Sequence, residues 1–125
     1  MQMTGVMGDI PRRILVVDDE PAILKLVTLA LEGRYEVRCA QSAAATRRLL
    51  QEGMPDLLIL DVVLGEDDGL ALLGEFRRRS DAPVVLITGH GSEAMAVQAL
   101  DLRANAYLPK PFSLQVLRAR RAAFG

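Results

Sequence analysis

The sequence predicts a doubly wound α/β domain built on a parallel sheet, and three observations predict it. Three short apolar runs, Ile14-Leu15-Val16-Val17, Leu57-Leu58-Ile59-Leu60 and Val84-Val85-Leu86-Ile87, show no alternation. Such runs mark strands buried on both faces, as in the centre of a parallel sheet. Between them lie segments with helical spacing of apolar residues. The order strand then helix, repeated five times, requires helices on both faces of one sheet.

The elements follow in order. Residues 1–12 form a leader with no assignment, and the domain is expected over 13–125. After the first strand, residues 21–32 place Leu24, Val27 and Leu31 on one helical face. Pro21 suits the first turn of that helix and Gly33 its end. The run Tyr35-Glu36-Val37-Arg38-Cys39 alternates, which predicts a half-exposed strand nearer an edge. Ser42 offers a cap to a helix over 42–52 that stops at Gly53. Asp68 is the expected cap of a helix over 69–79, with Leu72, Leu73 and Phe76 turned to one side. A helix over 92–102 carries Met95, Val97 and Leu100. A weaker strand, residues 105–108, precedes Pro109, and a last helix from Ser113 carries Leu114 and Leu117.

Composition excludes several functions. The chain of 125 residues suits one domain, and half its residues are hydrophobic and a quarter charged, as in a globular protein. A net charge of −1 gives no support to bulk binding of nucleic acid or an anionic membrane. Arg118, Arg120 and Arg121 are read as a solvated helix face. The longest uncharged stretch, residues 82–92, is too short to span a bilayer, and the start shows no secretory signal. The expected location is the cytoplasm. The one cysteine, Cys39, is expected as a reduced core thiol. With His90 as the sole histidine, zinc enzymes and His-dependent hydrolases lack their residues; His90 itself is read as an exposed loop residue.

Polar residues interrupt the pattern at strand ends: Asp18-Asp19-Glu20 after the first, Asp61 after the third, Thr88 after the fourth and Lys110 after the fifth. In a parallel sheet the carboxyl ends share one edge, where ligands bind at a topological switch point. Crowded carboxylates repel unless a proton or a cation neutralises them. Oxygen ligands alone suit a hard cation, Mg²⁺ or Mn²⁺. A metal, a lysine, a hydroxyl and a carboxylate together form a site for a phosphoryl group, which the carboxylate would take as an aspartyl phosphate. Asp68 is read as structural, and Glu66 and Asp67 as solvated loop acids.

The run from Ile14 through Asp18-Asp19-Glu20-Pro21, the stretch Pro55-Asp56-Leu57-Leu58-Ile59-Leu60-Asp61 with Asp68-Gly69, Leu86-Ile87-Thr88-Gly89, and Tyr107-Leu108-Pro109-Lys110-Pro111-Phe112 resemble the receiver domain of two-component response regulators. The likeness covers about residues 13–123. It implies a flavodoxin-like strand order, 2-1-3-4-5, with Asp61 as phosphoacceptor. It further implies Asp19 as a direct Mg²⁺ ligand, Asp18 as a ligand through water, and Val63 as a ligand through its backbone carbonyl. Lys110 would pair with the phosphoryl group, Thr88 would move toward it, and Tyr107 would be the aromatic switch. Pro111 matches a proline that follows a cis peptide bond. One departure is Gly65, where the family often has proline, which predicts a more mobile loop. The implied partner is a histidine kinase or a histidine phosphotransfer protein, with a homodimer through the face of the fourth helix, fifth strand and fifth helix. The domain would signal rather than turn over substrate. The alternative is a phosphorylation-independent interaction module of the same fold; an aspartyl-nucleophile phosphatase is disfavoured because Val63 stands where its second acid belongs.

Overall fold

A computed structural model describes residues 12–89, 93–113 and 115–117, with Thr88, Glu93, Ala96 and Leu100 described through their backbones alone. The elements are β1 (Arg12–Val17), α1 (Pro21–Leu31), β2 (Tyr35–Ala40), α2 (Ala43–Glu52), β3 (Leu57–Asp61), β4 (Val63–Leu64), β5 (Asp67–Asp68), α3 (Gly69–Arg77), β6 (Val84–Thr88), α4 (Glu93–Leu100) and β7 (Ala106–Pro109). Residues 115–117 are helical, with Ser113 Oγ accepting from the Val116 amide at 3.1 Å.

Five strands form one sheet in the order β2-β1-β3-β6-β7, every pairing parallel. Without the short β4–β5 hairpin in the count, this is the expected order 2-1-3-4-5. The chain moves outward in opposite senses from β1 and β3, so the switch point lies between them.

Apolar runs become central strands because each residue finds a core, whichever face it meets. On one face Leu15, Val17, Leu58, Leu60, Val84 and Leu86 pack with Leu50 of α2 and Leu72, Leu73 and Phe76 of α3. On the other, Ile14, Val16, Ile59, Val85 and Ile87 pack with Leu24, Val27 and Leu31 of α1 and with Leu117. Alternate residues of one strand thus serve opposite cores.

The helix signals hold with shorter bounds. Ser42 Oγ accepts from Ala45 N at 3.1 Å and caps α2, and Asp68 Oδ1 accepts from Ala71 N at 3.0 Å and caps α3. α4 buries Ala99 and leaves Val97 exposed, so Val97 is not a core residue of its helix. Leu114, His90, Arg118, Arg120 and Arg121 lie outside the described residues.

Two further readings need correction. Cys39 is exposed rather than a core thiol, because β2 is an edge strand. Its Sγ lies 3.5 Å from Thr28 Oγ1 on α1. Asp67 is more than a solvated loop acid: its Oδ2 accepts from Ala43 N at 2.9 Å, so it ties the hairpin to the first turn of α2.

The stretch after Asp61 is an antiparallel hairpin, Val63 opposite Asp68 and Leu64 opposite Asp67, closed by Gly65 and Glu66. Gly65 has φ +58° while Glu66 does not share a positive φ, the pattern of a II′ turn. Proline fixes φ near −65°, so it has no place at this position. The departure from the family's usual proline therefore has a backbone reason.

Candidate functional site

Strand register alone assembles the site. Val17 pairs with Leu60, so Asp18 and Asp61 leave adjacent strands side by side. Asp61 pairs with Ile87, and Thr88 pairs with Pro109. One row across the carboxyl edge therefore holds Asp18, Asp61, the Thr88 backbone and, one residue on, Lys110.

Side chains complete it. Lys110 Nζ lies 2.8 Å from Asp61 Oδ2, 3.0 Å from Asp18 Oδ2 and 2.5 Å from Glu20 Oε1. Asp61 Oδ1 accepts from the Val63 amide at 2.9 Å, and Asp18 Oδ1 accepts from the Glu20 amide at 2.8 Å. Both carboxyl groups are thus aimed by backbone donors from the residues that follow them. The peptide bond from Lys110 to Pro111 is cis, as the resemblance implied.

Electrostatics set the character of the cluster. Burial pushes the Asp18 carboxyl up to about 6, against the pull of the Glu20 amide and Lys110, with Asp61 adding repulsion. Burial works against the Lys110 charge too, but its hydrogen bonds to Asp61 and Glu20 and its close approach to Asp18 outweigh that and raise its pKa. The ammonium is therefore a fixed positive charge at any physiological pH.

One carboxylate oxygen each from Asp18, Asp19, Glu20 and Asp61 can be chosen so that all lie within 4.8 Å of one another. Three of these carboxylates, from Asp18, Glu20 and Asp61, meet one ammonium. Buried Asp18 Oδ2, though 3.0 Å from Lys110, receives no well-directed hydrogen bond from any described residue. An orphaned buried anion beside three more oxygen donors fits a hard divalent cation such as Mg²⁺.

The sequence-predicted residues thus divide. Asp18, Asp19, Asp61 and Lys110 come together. Val63 stands beside them, its amide on Asp61 and its side chain exposed. Tyr107 is 48% exposed on β7, opposite Leu86 and away from this contact network. Glu20 was read as one of the strand-end acids but given no role, and it holds Lys110. Its position directly after Asp18-Asp19 was the available signal.

A flavodoxin-like sheet with an acid cluster and a lysine at its switch point is the architecture of the receiver class of α/β domains. The chain belongs to the response regulator receiver domain family, whose model matches residues 14–122. It is 38% identical over 109 residues to the transcriptional regulatory protein KdpE of Staphylococcus aureus (strain NCTC 8325 / PS 47), covering 86% of this chain and 47% of KdpE. The receiver domain of NtrX from Brucella abortus superposes with a TM-score of 0.80 at 38% identity, over 88% of this chain and 95% of that one. Longer NtrX gives 0.84 at 37%, over 92% of this chain but 27% of its own. The chain thus spans about half the length of the curated relative it matches. A beryllofluoride-activated DrrB receiver domain matches with a TM-score of 0.80 at 27% identity, over 92% and 97% of the two chains. The protein is a response regulator receiver domain of a two-component system.

Proposed function

We propose that this domain accepts a phosphoryl group on Asp61 from a histidine kinase or histidine phosphotransfer protein and then switches a partner-binding surface. The receiver unit is taken as residues 13–125 with 1–12 before it, although β1 already opens at Arg12, and its location as the cytoplasm. No helix among the described residues is long and apolar enough to cross a membrane. The observation that carries the reading is the state of Asp61: a carboxylate 4% exposed, held by Lys110 and the Val63 amide, with three other acids around it.

In the transfer, the nitrogen–phosphorus bond of the donor breaks as a bond from an Asp61 oxygen to phosphorus forms, and the imidazole keeps the electron pair. The Val63 amide orients the nucleophile through Oδ1. Lys110 balances charge on the phosphoryl oxygens. Asp18 and Asp19, with Asp61 and the Val63 carbonyl, would hold Mg²⁺. Bound there, the cation supplies the positive charge that lets one anion approach another. Thr88 would follow the phosphoryl group and Tyr107 would respond. Each event modifies the domain itself, which is signalling rather than substrate turnover.

Val97 of α4, Tyr107 of β7 and Val116 are all exposed, which supports that side of the domain as the partner or homodimer face. No direct contact with nucleic acid or membrane is proposed.

The test is labelling with acetyl phosphate and Mg²⁺. The wild type should take up one phosphoryl group, chelation should abolish uptake, and Asp61→Asn should take up none. Label on Asp61→Asn would overturn the assignment. Equal partner affinity with and without beryllofluoride would favour the phosphorylation-independent module.

A further inference from the structure

Lys110 has a third partner that phosphoryl capture does not call for. An ammonium offers three N–H donors and no more. Three carboxylate oxygens, from Glu20, Asp61 and Asp18, lie within 3.0 Å of Nζ. Two of its N–H groups are hydrogen-bonded, to Glu20 and Asp61, and Asp18 Oδ2 stands 3.0 Å away without a well-directed bond, so three anionic oxygens already compete for Nζ before a phosphoryl oxygen arrives.

Two of them are fixed. The Asp18 and Asp61 side chains are 0% and 5% exposed, and the other oxygen of each is tied to a backbone amide. Glu20 differs in both respects. Its side chain is 57% exposed, and among the described residues Lys110 is the only hydrogen-bond partner of its carboxylate. Glu20 is also the N-cap of α1, yet it makes no side-chain cap bond. An acid at that position would ordinarily serve the orphan amides of the first turn. Here the carboxylate reaches instead for a lysine ninety residues along the chain.

We infer that Glu20 is a positioning residue for phosphoryl capture: an exchangeable carboxylate that competes with a phosphoryl oxygen for Lys110, and that leaves when Asp61 is modified. The inference rests on the phosphoacceptor reading above. In the resting domain Glu20 holds Lys110 in place and tempers its reach for anions. Departure of the carboxylate frees the start of α1 from the far end of β7, which makes the exchange visible from outside the site.

The experiment is beryllofluoride binding followed by ¹⁹F NMR, with Mg²⁺ saturating for each protein by separate titration. Wild type, Glu20→Gln, Glu20→Ala and Glu20→Asp are compared, the last keeping the charge on a side chain one methylene shorter. Glu20→Gln and Glu20→Ala should bind beryllofluoride about two- to fivefold more tightly, the worth of an exposed ion pair. Glu20→Asp should gain as well, because its shorter reach loosens the hold on Lys110, whereas mere repulsion between a charge at this position and an anion predicts no gain there. Loss of a purely structural contact does not tighten a ligand. Unchanged or weaker binding by Glu20→Gln and Glu20→Ala, or no gain in Glu20→Asp, would overturn the inference while leaving Asp61 as phosphoacceptor. A wild type that binds no beryllofluoride would overturn both.

Discussion

Asp18 shows how a single side chain couples stability to the site. Its carboxyl is wholly buried and its pKa rises from 3.8 to about 6, because burial penalises the charged form. A raised acid pKa means the folded state holds the proton more tightly than the unfolded chain. Its stabilising contribution is therefore full below pH 3.8 and lost as pH climbs through 6, leaving the ionised group as a cost at neutral pH. A shift of about two units sets an upper scale of about 3 kcal/mol for that cost. Asp18→Asn should accordingly raise the melting temperature of the metal-free protein at pH 7.5. It should also remove most of the stabilisation that Mg²⁺ confers on the wild type, about 1.4 kcal/mol at ten times the dissociation constant. Thermal melts in EDTA and in Mg²⁺ decide it; a variant that melts lower than wild type in EDTA would show that the Asp18 charge is fully compensated by Lys110. At this scale the sequence was informative about identity more than about geometry. The acids and Lys110 stood out because they interrupt apolar runs. Nothing in the letters showed that Glu20 would pair with Lys110, since that contact depends on where α1 begins relative to β7.

Between elements, close approaches do what single residues cannot. Gly69 opens α3 against the end of β3: a Cβ there would lie 2.4 Å from the Val62 carbonyl oxygen and 2.9 Å from that of Asp61. The helix start is pressed onto the peptide that follows Asp61, and only glycine permits it. Gly69→Ala should force α3 and this peptide apart, costing about 1–3 kcal/mol as overpacking does. Because the same peptide leads to the Val63 amide that aims Asp61, phosphorylation by acetyl phosphate should slow as well. Denaturant melts and labelling rates measure the two effects; full stability in Gly69→Ala would show that the helix start can slide without cost. The other end of α3 is anchored differently. Arg77 is buried and donates to the carbonyls of Ser80, Ala82 and Arg103 and to Asn105 Oδ1, fastening the helix to the segments that lead into β6 and β7. Long elements were legible because periodicity accumulates over many residues. The β4–β5 hairpin was not, since two-residue strands offer no period to read, and its only signal was Gly65. Cys39 was misread because alternation identifies a strand without revealing how far an edge position is covered.

Over the whole molecule, the parallel register joins Asp61, the proposed phosphoacceptor, to the edge strand that carries Tyr107. The Thr88 backbone sits one residue beyond the Asp61 partner Ile87, and Tyr107 lies two residues before Pro109, the partner of Thr88. Thr88 thus lies one strand away from Tyr107, on the strand pair β6–β7. On the proposed reading, phosphoryl contacts would bias this pair between two packings, a population shift to which the exposed Tyr107 would respond. The strand order and the convergence of Asp18, Asp61, Thr88 and Lys110 were legible in the sequence because parallel strands share an edge. The direction taken by Tyr107 was not, because a half-exposed aromatic on an edge strand serves packing and switching equally well. A test must therefore separate capture from response. Tyr107→Ala removes a side chain already 48% exposed, so the fold should lose little and beryllofluoride should bind as in the wild type. What should fall is the coupling. If beryllofluoride strengthens wild-type self-association or partner binding, that gain should shrink severalfold in the variant, since a ligand shifts an equilibrium only by its differential affinity for the two states. Sedimentation of both proteins with and without beryllofluoride measures it. An undiminished gain in Tyr107→Ala would mean the signal leaves the site by another route, and the tie from Asp67 of the hairpin to the first turn of α2 would then be the path to break.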